Sequence, residues 1–149
     1  MDEVEIRFES GKDKYLRLFF MLVPLLLFLS WMVIAIINAL HSTANLLFGL
    51  FVATLISFLL MWVYTRTFYK IIKDELLVVS GPFKWKIPVA EIRRIRLHQK
   101  PVGSYWWNAS LSRKGIVIYY RASMIYISPV EENKFLETLR QMNPLIEIR

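Results

Sequence analysis

The stretch LFFMLVPLLLFLSWMVIAIINAL-HSTAN-LLFGLFVATLISFLLMWVYT, residues 18–65, decides the fold, because its 48 residues contain no Asp, Glu, Lys or Arg. An ionised side chain at the bilayer centre costs about 2.5–3.5 kcal/mol on insertion scales, so membrane spans exclude charge. The gap is too long for one span and suits two. Residues 18–40 would make a helix of about 34 Å and residues 46–64 one of about 28 Å, against a hydrocarbon core of about 30 Å. The polar link between them is His-Ser-Thr-Ala-Asn at 41–45, and a link that short forces an antiparallel helical hairpin. Two other readings compete. Ser42-Thr43-Ala44 is a passable cleavage site for a signal peptide, but the apolar core of such a peptide is about 7–15 residues, shorter than the first run. A soluble domain of this size would have to cover two helices that are apolar all round, and few could.

Basic residues set the orientation. Lys12, Lys14 and Arg17 precede the first run, Arg66, Lys70 and Lys73 follow the second, and the link carries no Lys or Arg. The positive-inside rule therefore puts both ends in the cytoplasm of a two-span plasma-membrane protein. Tyr15, Trp62 and Tyr64 suit the aromatic belt of the inner interface. Gly49, Ala53 and Ser57 recur every four residues, and Ala35 and Ala39 do the same on the first helix. In an antiparallel hairpin Ala39 meets Gly49 and Ala35 meets Ala53, a candidate helix–helix interface of small residues. The ordinary alternative is that small residues are simply common in spans. Pro24 is placed to kink the first helix, which spans tolerate. The runs hold no acidic or basic side chain of the kind a transporter or proton relay needs.

Residues 66–149 carry 15 Lys and Arg against 7 Asp and Glu, while residues 1–17 carry four against five. Cysteine is absent, so no disulfide or thiolate site exists. The organisation expected is a short cytoplasmic segment at 1–17, the hairpin at 18–64, and one small cytoplasmic domain at 66–149. That domain reads as mostly β. Residues 68–72 and 76–80 form a hairpin around Lys73-Asp74-Glu75, and Gly81-Pro82 marks a turn. Residues 84–87 alternate polar and apolar until Pro88, and Ile95 and Leu97 alternate with Arg94, Arg96 and His98. Residues 115–120 and 124–127 make another strand pair around Arg121-Ala122-Ser123. Ser128 as N-cap, Pro129 and Glu131 read as a capping box, followed by the apolar stripe Phe135, Leu136, Leu139 and Met142 and a stop at Asn143-Pro144. About six antiparallel strands and one amphipathic helix predict a small β-barrel or sandwich capped by that helix.

Tyr69-Lys70-Ile71, Leu76-Leu77-Val78 with Gly81, Ile87-Pro88, Ile92-Arg93-Arg94-Ile95, Pro101, Ser104, Ala109-Ser110-Leu111 and Ile127-Ser128-Pro129 with Phe135 and Leu139 carry a resemblance. They resemble the bacterial pleckstrin-homology-like (PH-like) domains of membrane proteins over residues 69–139. The resemblance implies bent antiparallel sheets or a barrel with a C-terminal capping helix, and one or two spans ahead of them. It implies no catalytic motif. Proteins of this layout include self-immunity proteins that protect a bacterium from its own antimicrobial peptide (bacteriocin). The bulk of Tyr105-Trp106-Trp107 departs from the pattern, which leaves any shared ligand surface open.

Little points to an enzyme, a cofactor or a metal. His98 and His41 fall on opposite sides of the membrane and cannot share a ligand. No Gly-rich phosphate loop and no Ser-His-Asp spacing occurs. Asp74 and Glu75 are turn residues, and the acceptor pattern Asn108-Ala109-Ser110 has no use in a cytoplasmic domain. Nucleic acid is excluded as a partner by the lack of base-reading motifs. Lys84, Lys86, Arg94 and Arg96 alternate with apolar neighbours and would point outward. Beside an anionic leaflet each gains about 1 kcal/mol from lipid head groups. The alternative is a solvated basic face. Tyr105, Trp106 and Trp107 either dip into the head-group layer or pack in the core. The reading is a non-enzymatic membrane protein presenting a cytoplasmic PH-like module to a lipid surface or a protein partner. Alternatives are immunity against an antimicrobial peptide and an accessory subunit of a membrane transport complex.

Overall fold

The computed structural model describes residues 5–37, 43–97 and 106–149, with backbone alone at 43–46 and 106–107. Two long helices, α1 (Lys14–Ile37) and α2 (Thr43–Thr65), pack against each other as a hairpin. Both are long and apolar enough to cross a membrane. Their large side chains, among them Leu26, Ile36, Ile37, Phe48 and Phe51, stand exposed on all sides. So much contiguous exposed apolar area is unusual for a soluble surface and is of the kind that a bilayer can cover. α1 runs through Pro24 without interruption.

The hairpin interrupts a β domain rather than preceding it. Strand β1 (Glu5–Glu9) lies before α1, and β2 (Thr67–Ile72) follows α2. The two pair antiparallel, from Glu5 opposite Ile72 to Glu9 opposite Phe68. The N-terminal segment therefore belongs to the first sheet, and the domain over 66–149 gains a strand from outside those bounds. β3 (Glu75–Ser80) and β4 (Phe83–Pro88) complete a sheet of order β1-β2-β3-β4. Pro88 ends β4, and a single 3-10 turn (Val89–Glu91) leads into β5 (Ile92–Leu97). With β6 (Trp106–Asn108), β7 (Ile116–Tyr120), β8 (Ser123–Ile127) and β9 (Glu147–Ile148) it forms a second sheet of order β6-β8-β7-β5-β9. The described residues thus make nine strands in two open sheets, not a closed barrel. The ladders are mostly antiparallel, as alternation predicts, but β5–β9 and β6–β8 run parallel.

Period-two alternation chooses the inner faces. One inward row crosses the first sheet through Phe8, Tyr69, Val78 and Trp85, and the next through Ile6, Ile71, Leu76 and Ile87. Ile95, Ile116, Ile118, Ile125 and Ile127 supply the second sheet's share of the same core. Helix α3 (Glu132–Met142) closes it with Phe135, Leu136 and Leu139, and the Phe135 ring meets Phe8 edge-on at 5.1 Å. Each fully buried side chain of this size contributes about 1.5–3 kcal/mol. Asn143 ends α3 and its amide donates to the carbonyls of Val89 and Ile92, at 3.0 and 3.3 Å.

The helix start differs from the capping box at Ser128. α3 begins at Glu132 behind Glu131, without a side-chain cap. Ser128 is drawn instead into a buried polar knot. Its N–H donates to the Tyr69 hydroxyl at 3.0 Å, its Oγ lies 3.1 Å from Ser10 Oγ, and its carbonyl accepts from Gly11 N–H at 2.6 Å. The Tyr69 hydroxyl also reaches Ser10 Oγ at 3.0 Å and the Ala109 carbonyl at 2.8 Å. Burial pushes the Tyr69 pKa up, so the phenol keeps its proton. The knot ties the N-terminal strand to the end of β8, across both sheets.

Candidate functional site at the base of the hairpin

Register places one end of the domain against the hairpin: the end of β1, the start of β2, the β3–β4 turn and residues 109–114. Each is fixed by contacts to a helix end. Asp13 N–H donates to the Leu111 carbonyl at 3.1 Å, and the Asp13 carboxylate accepts from Arg113 N–H at 2.6 Å. The Arg113 guanidinium sits 4.5 Å over the Tyr15 ring and the Lys12 ammonium 4.8 Å over Tyr64, whose ring lies 5.3 Å from Phe20. Such cation–ring contacts stabilise by about 0.5–2 kcal/mol. Exposed Lys12, Lys14, Arg66, Arg113 and Lys114 therefore collect around the base of the hairpin.

On the α2 side the turn at residues 80–83 leans on the last helical turn. Gly81 N–H donates to the Arg66 carbonyl at 3.0 Å, and the Thr67 hydroxyl donates to the Val63 carbonyl at 2.6 Å. Gly81 has a φ of +57°, and a Cβ there would stand 2.8 Å from Val63 Cγ2 and 3.0 Å from Val63 Cα and N. Both the left-handed backbone and the close approach require glycine. Phe83, next along, is 58 % exposed and stacks on half-buried Trp85 at 6.1 Å. On α2 itself, Phe58, Met61, Trp62, Thr65 and Arg66 line an open groove of about 440 Å³.

The cations singled out from the sequence separate between the sheets. Lys84 and Lys86 are exposed on the outward face of edge strand β4, opposite Val79 and Leu77. Arg94 and Arg96 lie on β5 in the other sheet, both half-buried. Arg94 donates to Glu147 at 2.7 Å, and the Arg96 guanidinium lies 5.4 Å from the Tyr119 ring centroid. Arg94, followed by Arg149, holds the Glu147 carboxyl below its usual pKa. Tyr105 and His98, like His41 and Ala39, lie outside the described residues. The backbone of Trp106 and Trp107 forms β6 beside Met124 and Ile125.

Within the hairpin, Ala35, Gly49, Ala53 and Ser57 are half-buried. Gly49 packs against Trp31, whose Cδ1 is 3.2 Å from where a glycine Cβ would be, and Ser57 returns its hydroxyl to the Ala53 carbonyl at 2.7 Å. The collar residues Lys12, Arg66, Arg113 and Phe83 escape a reading by alternation, because what unites them is proximity to the helix ends. The one available signal was the alternation of Ile6 and Phe8 with charges ahead of the first span.

Two sheets around a shared core, with a C-terminal helix closing it, define the PH-like class of domain. The family model described as Bacterial PH domain matches residues 67–143, and the chain belongs to that family. The match begins at β2 and so leaves out both the hairpin and β1. No curated protein and no solved structure matches the chain. PH-like domains are generally binding modules without catalysis.

Proposed function

We propose that this chain is a non-catalytic binding module held at the inner face of the plasma membrane, its PH domain clamped to a two-span hairpin. The observation that carries the reading is the pairing of β1 with β2, which flank the hairpin in sequence and are neighbours in one sheet. A chain that leaves the domain and returns to the adjacent strand has both helix ends on the domain's side. The excess of Lys and Arg on that side then assigns it to the cytoplasm. The contacts of Asp13, Arg113 and Gly81 hold the domain against the head groups rather than letting it swing on a linker. Immunity against an antimicrobial peptide and service in a transport complex rest on resemblance and layout alone. Raised resistance to one cognate peptide in a sensitive strain would support the first.

The chain has no cysteine, which makes labelling unambiguous. Ser42→Cys in the link should react with an impermeant maleimide on intact cells, and Ala122→Cys in the β7–β8 turn only after lysis. The reverse pattern, or reaction of both on intact cells, would overturn the reading.

A further inference from the structure

We infer that the free edge of β4 is a docking site for a protein partner, which adds to the first sheet an extended segment alternating acidic and apolar side chains. The inference rests on the reading of the domain as a binding module, and it supplies the chemistry of the partner. The first sheet ends in two edges, β1 and β4. β1 is tied to the chain ahead of α3, where the Glu9 carbonyl accepts from Val130 N–H at 3.0 Å. β4 pairs with β3 alone among the described residues. Its register tells which backbone groups are spare. Gly81-Pro82 is a two-residue turn between Ser80 and Phe83, with Gly81 at φ +57° in the first central position, the type II′ pattern. The pair that closes such a turn is hydrogen-bonded, and bonded pairs alternate along an antiparallel ladder. Phe83, Trp85 and Ile87 therefore direct N–H and C=O toward β3, while Lys84 and Lys86 direct theirs to the open side. Pro88 falls at an unbonded position, where its missing N–H costs no ladder bond.

The side chains of β4 sort by face in the same way. Phe83 and Trp85 lie on the core side, stacked at 6.1 Å, and Phe83 is 58 % exposed, so an apolar ledge borders the edge. Lys84 and Lys86 stand exposed on the outer side, with Val79 and Leu77 as their cross-strand neighbours. Among the described residues neither has a carboxylate within ion-pairing distance. A strand laid along β4 thus meets spare backbone groups, two cations on one face and an aromatic ledge on the other. Its carboxylates belong opposite the lysines and its apolar side chains against Phe83 and Trp85. A second copy is a poor occupant: pairing β4 with β4 in any register that keeps the faces aligned sets lysine opposite lysine. Edge lysines commonly guard a strand in this way, but an exposed phenylalanine on the same strand does not serve that end. A lipid head group would satisfy the cations and offer no ladder of backbone partners. The edge is also held ready, because the Gly81 N–H bond to the Arg66 carbonyl at 3.0 Å pins its turn to the end of α2. β4 is six residues long, about 20 Å, so its occupant lies within that distance of the hairpin's base.

The test uses the full chain in phosphatidylcholine nanodiscs, where no anionic lipid competes. The probe is a short fluorescent peptide alternating glutamate and valine. It should bind at least about tenfold more tightly than the matching lysine–valine peptide, since two attractive cross-strand pairs replace two repulsive ones. N-methylation of its glutamates, which oppose Lys84 and Lys86 in an antiparallel ladder, should abolish binding although every side chain is kept. The bound peptide should slow amide exchange at Lys84 and Lys86 and leave β7 and β8 unchanged. Lys84→Glu with Lys86→Glu should reverse the preference between the two peptides. Equal or absent binding of the two peptides by the parent chain, full binding of the N-methylated one, or protection arising elsewhere overturns the inference. So does protection of these two amides by phosphatidylglycerol nanodiscs and not by the peptide, which would assign the edge to lipid. The placement of the domain is read separately from Ala122→Cys. Labelling only after lysis, with no peptide bound, removes the β4 site alone; labelling on intact cells removes the placement at the inner face.

Discussion

Replacing Tyr69 by Phe removes one oxygen from the point where β1, β2, β8 and residue 109 meet, and the cost can be worked out bond by bond. The Ala109 carbonyl can only accept, so it takes the phenol's single proton at 2.8 Å, and Ser128 N–H donates to the phenol oxygen at 3.0 Å. Ala109 and Ser128 are 1 % and 2 % exposed, so water cannot replace the lost partner. An orphaned buried donor or acceptor costs about 1–3 kcal/mol, and two of them give about 3 kcal/mol at the lower-middle of that range. Ser10 keeps its bond to Ser128 Oγ at 3.1 Å and adds little. Since a domain is stable by about 5–15 kcal/mol, the variant should fold but open far more often. Amide hydrogen exchange of the full chain in nanodiscs reads this directly: protection along β2 and β8 should fall about 150-fold, the equivalent of 3 kcal/mol. Tyr126→Phe is the control, because its hydroxyl makes a partly exposed bond to the Arg113 carbonyl at 2.9 Å; its effect should stay within about 1 kcal/mol. Protection unchanged in Tyr69→Phe, or lost equally in the control, would refute the idea that the knot secures the two sheets.

Three further outcomes are expected. Phe8→Ala should destabilise the domain by about 3–5 kcal/mol in the same exchange measurement, because Phe8 is buried against Phe135; a surface-like loss below about 0.5 kcal/mol would mean that β1 does not belong to the core. Gly81→Val, which needs both a positive φ and space that Val63 fills, should detach the β3–β4 turn from α2 and raise exchange at the Gly81 and Thr67 amides, with β7 and β8 unaffected. Glu147 has a folded-state pKa lowered from its ordinary 4.5, first by the Arg94 hydrogen bond. Its support for β9 is therefore fully present above that ordinary value and lost as pH falls through the lower folded one. Exchange at the Leu97 and Arg149 amides, which join β5 to the chain end, should rise below pH 4.5, and Glu147→Gln should abolish that pH dependence.

Much of this architecture is decided by local pattern. A charge-free run of this length marks out two helices apolar enough to cross a membrane, whatever follows. The β2–β3 and β7–β8 pairs are read from alternation broken by short polar turns, and both turns carry a residue in the left-handed region, Lys73 at φ 52° and Arg121 at φ 48°. The stripe of Phe135, Leu136 and Leu139 marks the buried side of α3 wherever that helix begins. The rest depended on partners remote in sequence. β1 is five residues of mixed charge whose pairing strand lies beyond the entire hairpin, so nothing local distinguishes it from a tail. Ser128 has the chemistry of an N-cap, but Tyr69 and Ser10 compete for it from other strands and win because their polar atoms are buried and need partners. Arg94 looks like a surface cation until Glu147 arrives from the chain end. The collar at the hairpin's base exists only because β1 and β2 pair, bringing both helix ends, the glycine turn and residues 109–114 to one face. Composition and period chose the elements. Which cations pair with a carboxylate was settled by long-range pairing, since a charge's partner is a matter of distance in space.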